Sequence, residues 1–163
     1  SQSFAAAWRC GVEAADGAVV ARMDDGNLYG EHYLTDLVQT LRYTDAGVVG
    51  KLAHYAHVQG SGATVLRYPG QEHRYTRTVH PGTLAVRSDV LRAVPFDERA
   101  KDVSAAFLTS CAADGVRIYA ADRFSFVWCR QGDYRRPWRV DEGDVLGNGR
   151  VEFFGYPDRH VNI

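Results

Sequence analysis

The sequence predicts an α/β domain: a mixed, mostly parallel sheet flanked by helices, with a small antiparallel hairpin insertion. Three observations carry that expectation. An apolar, β-type run over 18–23 ends abruptly in Asp24-Asp25-Gly26-Asn27. A helical pattern follows, with Leu34, Leu37, Val38 and Leu41 at the i, i+3, i+4, i+7 spacing of one face. A second amphipathic stretch over 102–113 stops at Asp114-Gly115 and leads into the apolar run 116–119. Strands alternating with helical patterns are the signature of α/β architecture.

Each element has its own local reason. Residues 3–15 are rich in helix formers, with Ser3 as N-cap and Phe4, Trp8 and Val12 on one face. Asp16-Gly17 ends that helix and turns the chain into the strand at 18–23. The helix that begins around Glu31 ends near Thr44-Asp45-Ala46-Gly47, and 48–51 is a short buried strand. Residues 55–58 and 63–68 flank Gln59-Gly60-Ser61-Gly62, a strong hairpin turn. A strand-like run at 73–78 completes the antiparallel insertion, and 83–87 forms a strand after Pro81-Gly82. The 102–113 helix buries Val103, Phe107, Leu108 and Cys111, and strands follow at 116–119 and 124–130. From Gln131 the chain turns basic and irregular, and the tail holds a short helix candidate at 141–147.

Composition fits one ordinary globular domain spanning 1–163, with 24% charged and 45% hydrophobic residues. A formal net charge of −1 gives no basis for non-specific binding of nucleic acid or an anionic membrane. No apolar run approaches the roughly 20 residues that span a bilayer, and no secretory signal is present. The opening Ser1 points to a processed product or a piece of a longer chain. Cys10, Cys111 and Cys129 are odd in number and widely separated, and read as reduced, mostly buried thiols of a cytoplasmic protein.

The chemistry concentrates at the acidic strand end. Two adjacent carboxylates there can hold a hard divalent cation, and the cation can clamp a diphosphate. The same residues also compose an ordinary acidic turn. The frame Val19-Val20-Ala21-Arg22-Met23-Asp24-Asp25-Gly26-Asn27-Leu28-Tyr29-Gly30, followed by Glu31-His32-Tyr33-Leu34, resembles the metal-binding strand end of family 2 glycosyltransferases with the GT-A fold. It is similar to the subgroup whose strand and helix read Met-Asp-Asp-Asp-Asp-x-Tyr-Gly-x-x-Tyr-Leu. The resemblance runs through residues 3 to 160 and is most specific over 18–51.

The resemblance implies a partial GT-A-like domain, the acceptor-side half without the nucleotide-binding strands that normally precede it. It implies transfer of a sugar from a nucleotide-sugar to a saccharide, polyol-phosphate or other cell-envelope acceptor, with Mn²⁺ or Mg²⁺ as cofactor. Asp24 and Asp25 would hold the metal and donor diphosphate, but Gly26 stands where the family's ligating aspartate falls. The general-base position falls on Ser104, whose hydroxyl is too weak an acid-base group to replace a carboxylate, with Asp102 as the nearest alternative. Arg136 stands where a diphosphate-holding histidine would be, in Arg136-Pro137-Trp138, and Arg135 and Arg139 flank it. Arginine holds phosphate bidentately without a metal; a solvated basic loop has the same composition.

These departures imply weakened or lost transfer, with a non-catalytic saccharide-binding or scaffolding domain as the alternative. Tyr75 and Trp138 are the candidate acceptor-binding aromatics. An aromatic wall of His54, Tyr55, Tyr68, His73, Tyr75 and Trp128 would suit sugar rings, although hairpin packing explains the same residues. His54 and His57 point to opposite faces of a strand and share no metal. The acceptor cleft is expected between the end of the 18–23 strand, the 53–78 insertion and the start of the 102–113 helix. A partial domain would also expose a sheet edge near 18–23, to be covered by a second copy or a partner chain.

Overall fold

The computed structural model describes residues 4–97, 99–130 and 147–161. In chain order the elements are α1 (Phe4–Ala14), β1 (Val19–Ala21), β2 (Leu28–Tyr29), α2 (Tyr33–Tyr43), β3 (Val48–Gly50), β4 (His54–Val58), β5 (Ala63–Arg67) and β6 (Arg74–Thr76). After a 3-10 turn (Pro81–Thr83) come β7 (Ala85–Arg87), α3 (Ser88–Ala93), α4 (Val103–Ala113), β8 (Ile118–Ala120), β9 (Phe126–Arg130), β10 (Gly149–Phe154) and α5 (Asp158–Val161). The helix candidate at 141–147 lies almost wholly outside the described residues.

The strands form two sheets, in the orders β1-β7-β3-β8-β6 and β10-β5-β4-β9-β2. The expected mostly parallel sheet is corrected here. Among the described residues only β3–β8 and β4–β9 are parallel, and the other six pairings are antiparallel. Connection geometry is the reason. The short loop between β4 and β5 permits only antiparallel pairing, and β7 inserts between β1 and β3 against the direction of both. The antiparallel hairpin is no side insertion either. It forms the middle of the second sheet, and β6 joins the first.

Pleating divides the core. Val48, Val86 and Ile118 face Leu91 of α3 and Phe107, Leu108 and Cys111 of α4, with Trp8 and Val12 of α1 packed against them. The alternate residues, Val49 and Ala85, face Tyr33, Leu37 and Leu41 of α2. The first sheet is therefore covered on both sides.

β1 and β3 both run against β7, and β3 runs parallel with β8, so β1, β3 and β8 point the same way. Their carboxyl ends deliver Arg22 and Asp24, Lys51 and Asp122 to one edge of the sheet. Ligands bind at that edge in open α/β sheets. Among the described residues no helix is long and apolar enough to cross a membrane. Cys111 is buried and its thiol is pushed up to about 12 by desolvation, whereas Cys10 is exposed, against the expectation of burial.

Candidate functional site at the carboxyl edge of the first sheet

The acidic edge is built around Arg22, the residue that follows β1. Its backbone N–H donates to Leu84 O at 2.8 Å, fixing it beside β7. Its guanidinium grips both oxygens of Asp24, Nε to Oδ1 at 2.9 Å and Nη2 to Oδ2 at 3.2 Å. Nη1 donates to Ser104 Oγ at 2.7 Å. The Trp8 ring packs against the same guanidinium, 5.3 Å from Cζ to centroid.

Ser104 owes its place to α4. With Phe107, Leu108 and Cys111 it follows the i, i+3, i+4, i+7 stripe that the helix buries. Asp102 starts the helix as N-cap, its Oδ1 accepting from the N–H groups of Ser104 at 3.1 Å and Ala105 at 3.0 Å. The Asp102 carboxylate therefore serves the backbone, a cap worth about 1 kcal/mol.

A hydroxyl locks the acidic loop to the 3-10 turn. Tyr29 OH accepts from Asp24 N and donates to Gly82 O, each at 2.8 Å. Burial raises the Tyr29 pKa and keeps the phenol protonated. A side chain at Gly82 would begin 2.9 Å from Asp24 Oδ2 and 3.0 Å from Asn27 Nδ2, so only glycine lets the two segments approach this closely.

The predicted residues divide accordingly. Asp24 and Ser104 meet on Arg22. Asp25 is exposed and makes no side-chain hydrogen bond or ion pair among the described residues. Asp102 is a cap. Tyr75 is placed away from this edge: it sits on β6, at the opposite margin of the sheet from β1. Four strand spacings of about 4.8 Å separate them, about 19 Å in all. There Tyr75 bonds Asp45 through its hydroxyl, and Arg117 stacks on its ring at 3.8 Å. Arg135, Arg136, Trp138 and Arg139 lie outside the described residues.

Asp24 also borders a cleft on the α1 side of the sheet. This cleft of about 490 Å³ runs between α1 and β1, with Arg22, Met23 and Asp24 in its wall, and takes no lining residue from 53–78. The residues of the acidic loop fit a hard cation poorly. Arg22 engages both Asp24 oxygens, Gly26 brings no ligand, and no group of three or more His, Cys, Asp or Glu ligands assembles among the described residues.

Arg22, Asn27, His80 and Gly82 escaped sequence reasoning. The available signal was an arginine interrupting an apolar strand end. Part of the aromatic wall does form: His54, Tyr68 and Trp128 gather with His80 and Phe126. Tyr55 instead packs on Leu66 and Val127, and His73 is exposed. Burial pushes His54 down to about 4, with Arg67 adding to the shift and the bond to Leu52 opposing it. His80 is held well below 6.5, by burial first, then by His54, Arg67 and Arg22.

Both histidines bind fewer protons folded than unfolded, so stability rises with pH across their window. The urea midpoint is expected to fall as pH drops from 6.5 toward 4, and to be flat in this respect above 6.5. His54→Gln should flatten part of that slope; an unchanged slope in a His54→Gln, His80→Gln double variant would place the proton uptake elsewhere.

No protein-family model matches the chain, and no curated protein sequence matches it at a significant level.

Proposed function

We propose that this chain is the acceptor-side portion of a GT-A-type, nucleotide-sugar-dependent glycosyltransferase domain in which sugar transfer is weakened. One observation carries the reading. Two positions far apart in sequence, assigned by resemblance to the diphosphate-metal group and the general base, meet on the Arg22 guanidinium as Asp24 and Ser104. The common direction of β1, β3 and β8 adds support, because it sets Asp24 at the sheet edge where such folds bind ligands.

The same geometry supports the weakened-transfer part of the reading. Inverting transfer needs a group that removes the acceptor's hydroxyl proton. Ser104 Oγ accepts a hydrogen bond from a cation and offers no carboxylate for that proton. Asp24 is already paired with Arg22 and has little negative charge left to attract a second cation. The edge is better suited to binding and orienting than to chemistry. Among the described residues β1 is hydrogen-bonded on one side only, to β7, and the reading includes a second copy or partner chain across its other edge.

The experiment is calorimetry with Mn²⁺ and uridine diphosphate, alongside a donor-turnover assay and sedimentation of the same samples. The wild-type chain is expected to show no saturable cation site and negligible turnover. Gly26→Asp, which faces open space, should create a cation site that Asp24→Asn removes. Tight wild-type Mn²⁺ binding abolished by Asp25→Ala would overturn the weakened-site reading. Failure of Gly26→Asp to bind would remove the metal-position assignment. Saccharide binding with no response to any nucleotide would favour the non-catalytic binding domain, and a strict monomer at all concentrations would remove the partner across β1.

A further inference from the structure

We propose that Arg67, His54 and His80, rimmed by Tyr68 and Trp128, form a metal-independent binding site for a phosphoryl group. Arg67 closes β5 and is only 9% exposed. Its Nε–H is buried without an acceptor, and no carboxylate pairs with it among the described residues. Nη2 reaches only the Tyr68 hydroxyl, at 3.3 Å. Aromatic rings flank the guanidinium, with Cζ 5.0 Å from the Tyr68 centroid and 5.3 Å from that of Trp128. Such contacts attract a cation but supply no counter-charge and no acceptor. A buried charge in that state calls for an anion.

The imidazoles supply the complementary groups. His54 lies opposite Arg67 on the β4–β5 ladder and is 1% exposed. Its Nδ1 donates to Leu52 O at 2.8 Å, which leaves Nε2 as a buried acceptor without a partner. His80 Nδ1 accepts from Gly82 N at 3.1 Å, so the neutral ring carries its hydrogen on Nε2 and can donate. The two rings lie 4.6 Å apart, and Trp128 lies 6.3 Å from His54 and 5.3 Å from His80. A monoprotonated phosphate both accepts and donates, which matches two donors and one acceptor. A carboxylate at neutral pH only accepts.

Position agrees with this assignment, and a phosphoryl group reaches Arg67 Nε and His54 Nε2 only as the rim side chains part, because both atoms are buried. Arg67 and His54 form a buried floor, whereas Tyr68, His80 and Trp128 are half-buried and make the rim. Tyr68 holds its ring there from a left-handed backbone, φ +49°. A Cβ at Gly82 would lie 2.9 Å from Asp24 Oδ2 and 3.4 Å from His80 Cε1, so the cluster adjoins the acidic edge. The phosphoryl site rests on the transfer reading only for its bearer, a departing nucleoside diphosphate or a polyol-phosphate acceptor.

The test is metal-free calorimetry of the wild-type chain with uridine diphosphate and, separately, glycerol phosphate. Acetate and chloride at matched ionic strength serve as controls. Saturable binding by one of the two phosphates is expected, and the tighter ligand identifies the bearer. Arg67→Met should weaken it roughly ten- to a hundred-fold, the loss that follows removal of a charged hydrogen-bond donor. Its ligand-free melting temperature should be unchanged or higher, because an unpaired buried charge is gone. A packing role alone would lower that temperature and leave phosphate binding intact. His80→Gln supplies the same comparison if Arg67→Met does not fold. Binding no stronger than the controls, or binding undiminished in both variants, overturns the proposal. The transfer reading stands or falls on donor turnover and Gly26→Asp, neither of which involves Arg67.

Discussion

Asp122→Ala is expected to destabilise the fold by about 3 kcal/mol, seen as a lower urea midpoint at unchanged slope. The effect falls on Lys51, whose side chain is fully buried. Its Nζ donates to Asp122 O and Oδ1, both at 3.0 Å, and lies 5.9 Å from the Tyr33 ring centroid. Removing the carboxylate leaves a buried ammonium with one carbonyl. The figure sits at the low end for a broken buried pair because 26% of the Asp122 side chain is exposed and water can partly replace it.

Burial holds the Lys51 pKa below its usual value, with Asp122 the main opposing influence. The folded chain therefore binds fewer protons than the unfolded one in that range, and this group's contribution to stability rises with pH. The penalty of Asp122→Ala should shrink as pH rises through the lowered pKa, since a neutral amine needs no counter-charge. Adding Lys51→Met should recover most of the loss. A penalty independent of pH, and not relieved by Lys51→Met, would mean that Asp122 acts through its bond to Phe124 N instead.

Phe107→Ala is expected to cost about 3–5 kcal/mol, the usual range for truncating a buried phenylalanine. Phe107 is fully buried, stacks on Phe96 at 4.6 Å and meets the edge of Trp8 at 6.1 Å. Trp8 is the main apolar anchor of α1 and also covers Arg22. Ser104 lies one turn earlier on the same face of α4. The truncation should therefore loosen α1 and the Arg22–Ser104 contact together. Hydrogen exchange of α1 amides checks this: faster exchange in α1 is expected at denaturant levels where the strands stay protected. Equal acceleration everywhere would count against a local coupling.

The helices over Tyr33–Tyr43 and Val103–Ala113 were legible because each buries a periodic apolar stripe. α3 was not, since Leu91 is its only buried residue and one contact has no period. β10 escaped for a related reason: its residues are mostly exposed and show no alternation to read. Sheet direction lay beyond local pattern. β3 takes its two neighbours, β7 and β8, from much later in the chain, and nothing in Val48–Gly50 encodes their orientation.

The candidate site divides along the same line. Asp24 and Ser104 were accessible from motif position, whereas Arg22 and Arg67 look in sequence like charges at strand ends. Their importance arises only when distant elements bring Ser104, Trp128 and His54 to them. The position of Tyr75 at the other margin of the sheet from Asp24 was not legible, because an aromatic in a strand fits either margin equally well.

Under the proposed transferase reading, Gly26 and Ser104 would differ in how reversible their departures are. The side of Gly26 where a Cβ would project has no heavy atom within 4 Å, so a side chain can begin there without a clash. Every glycine codon becomes an aspartate or glutamate codon by a single change at its second base. The ligand-poor loop thus lies one nucleotide from a ligand-rich one, and drift can cross that gap in either direction. Ser104 is buried against Arg22 and the apolar face of α4, where a larger acidic group must displace neighbours. Of the two changes that the transferase reading implies, the one at the loop is open to genetic reversion, and the one at the helix is held in place by its surroundings.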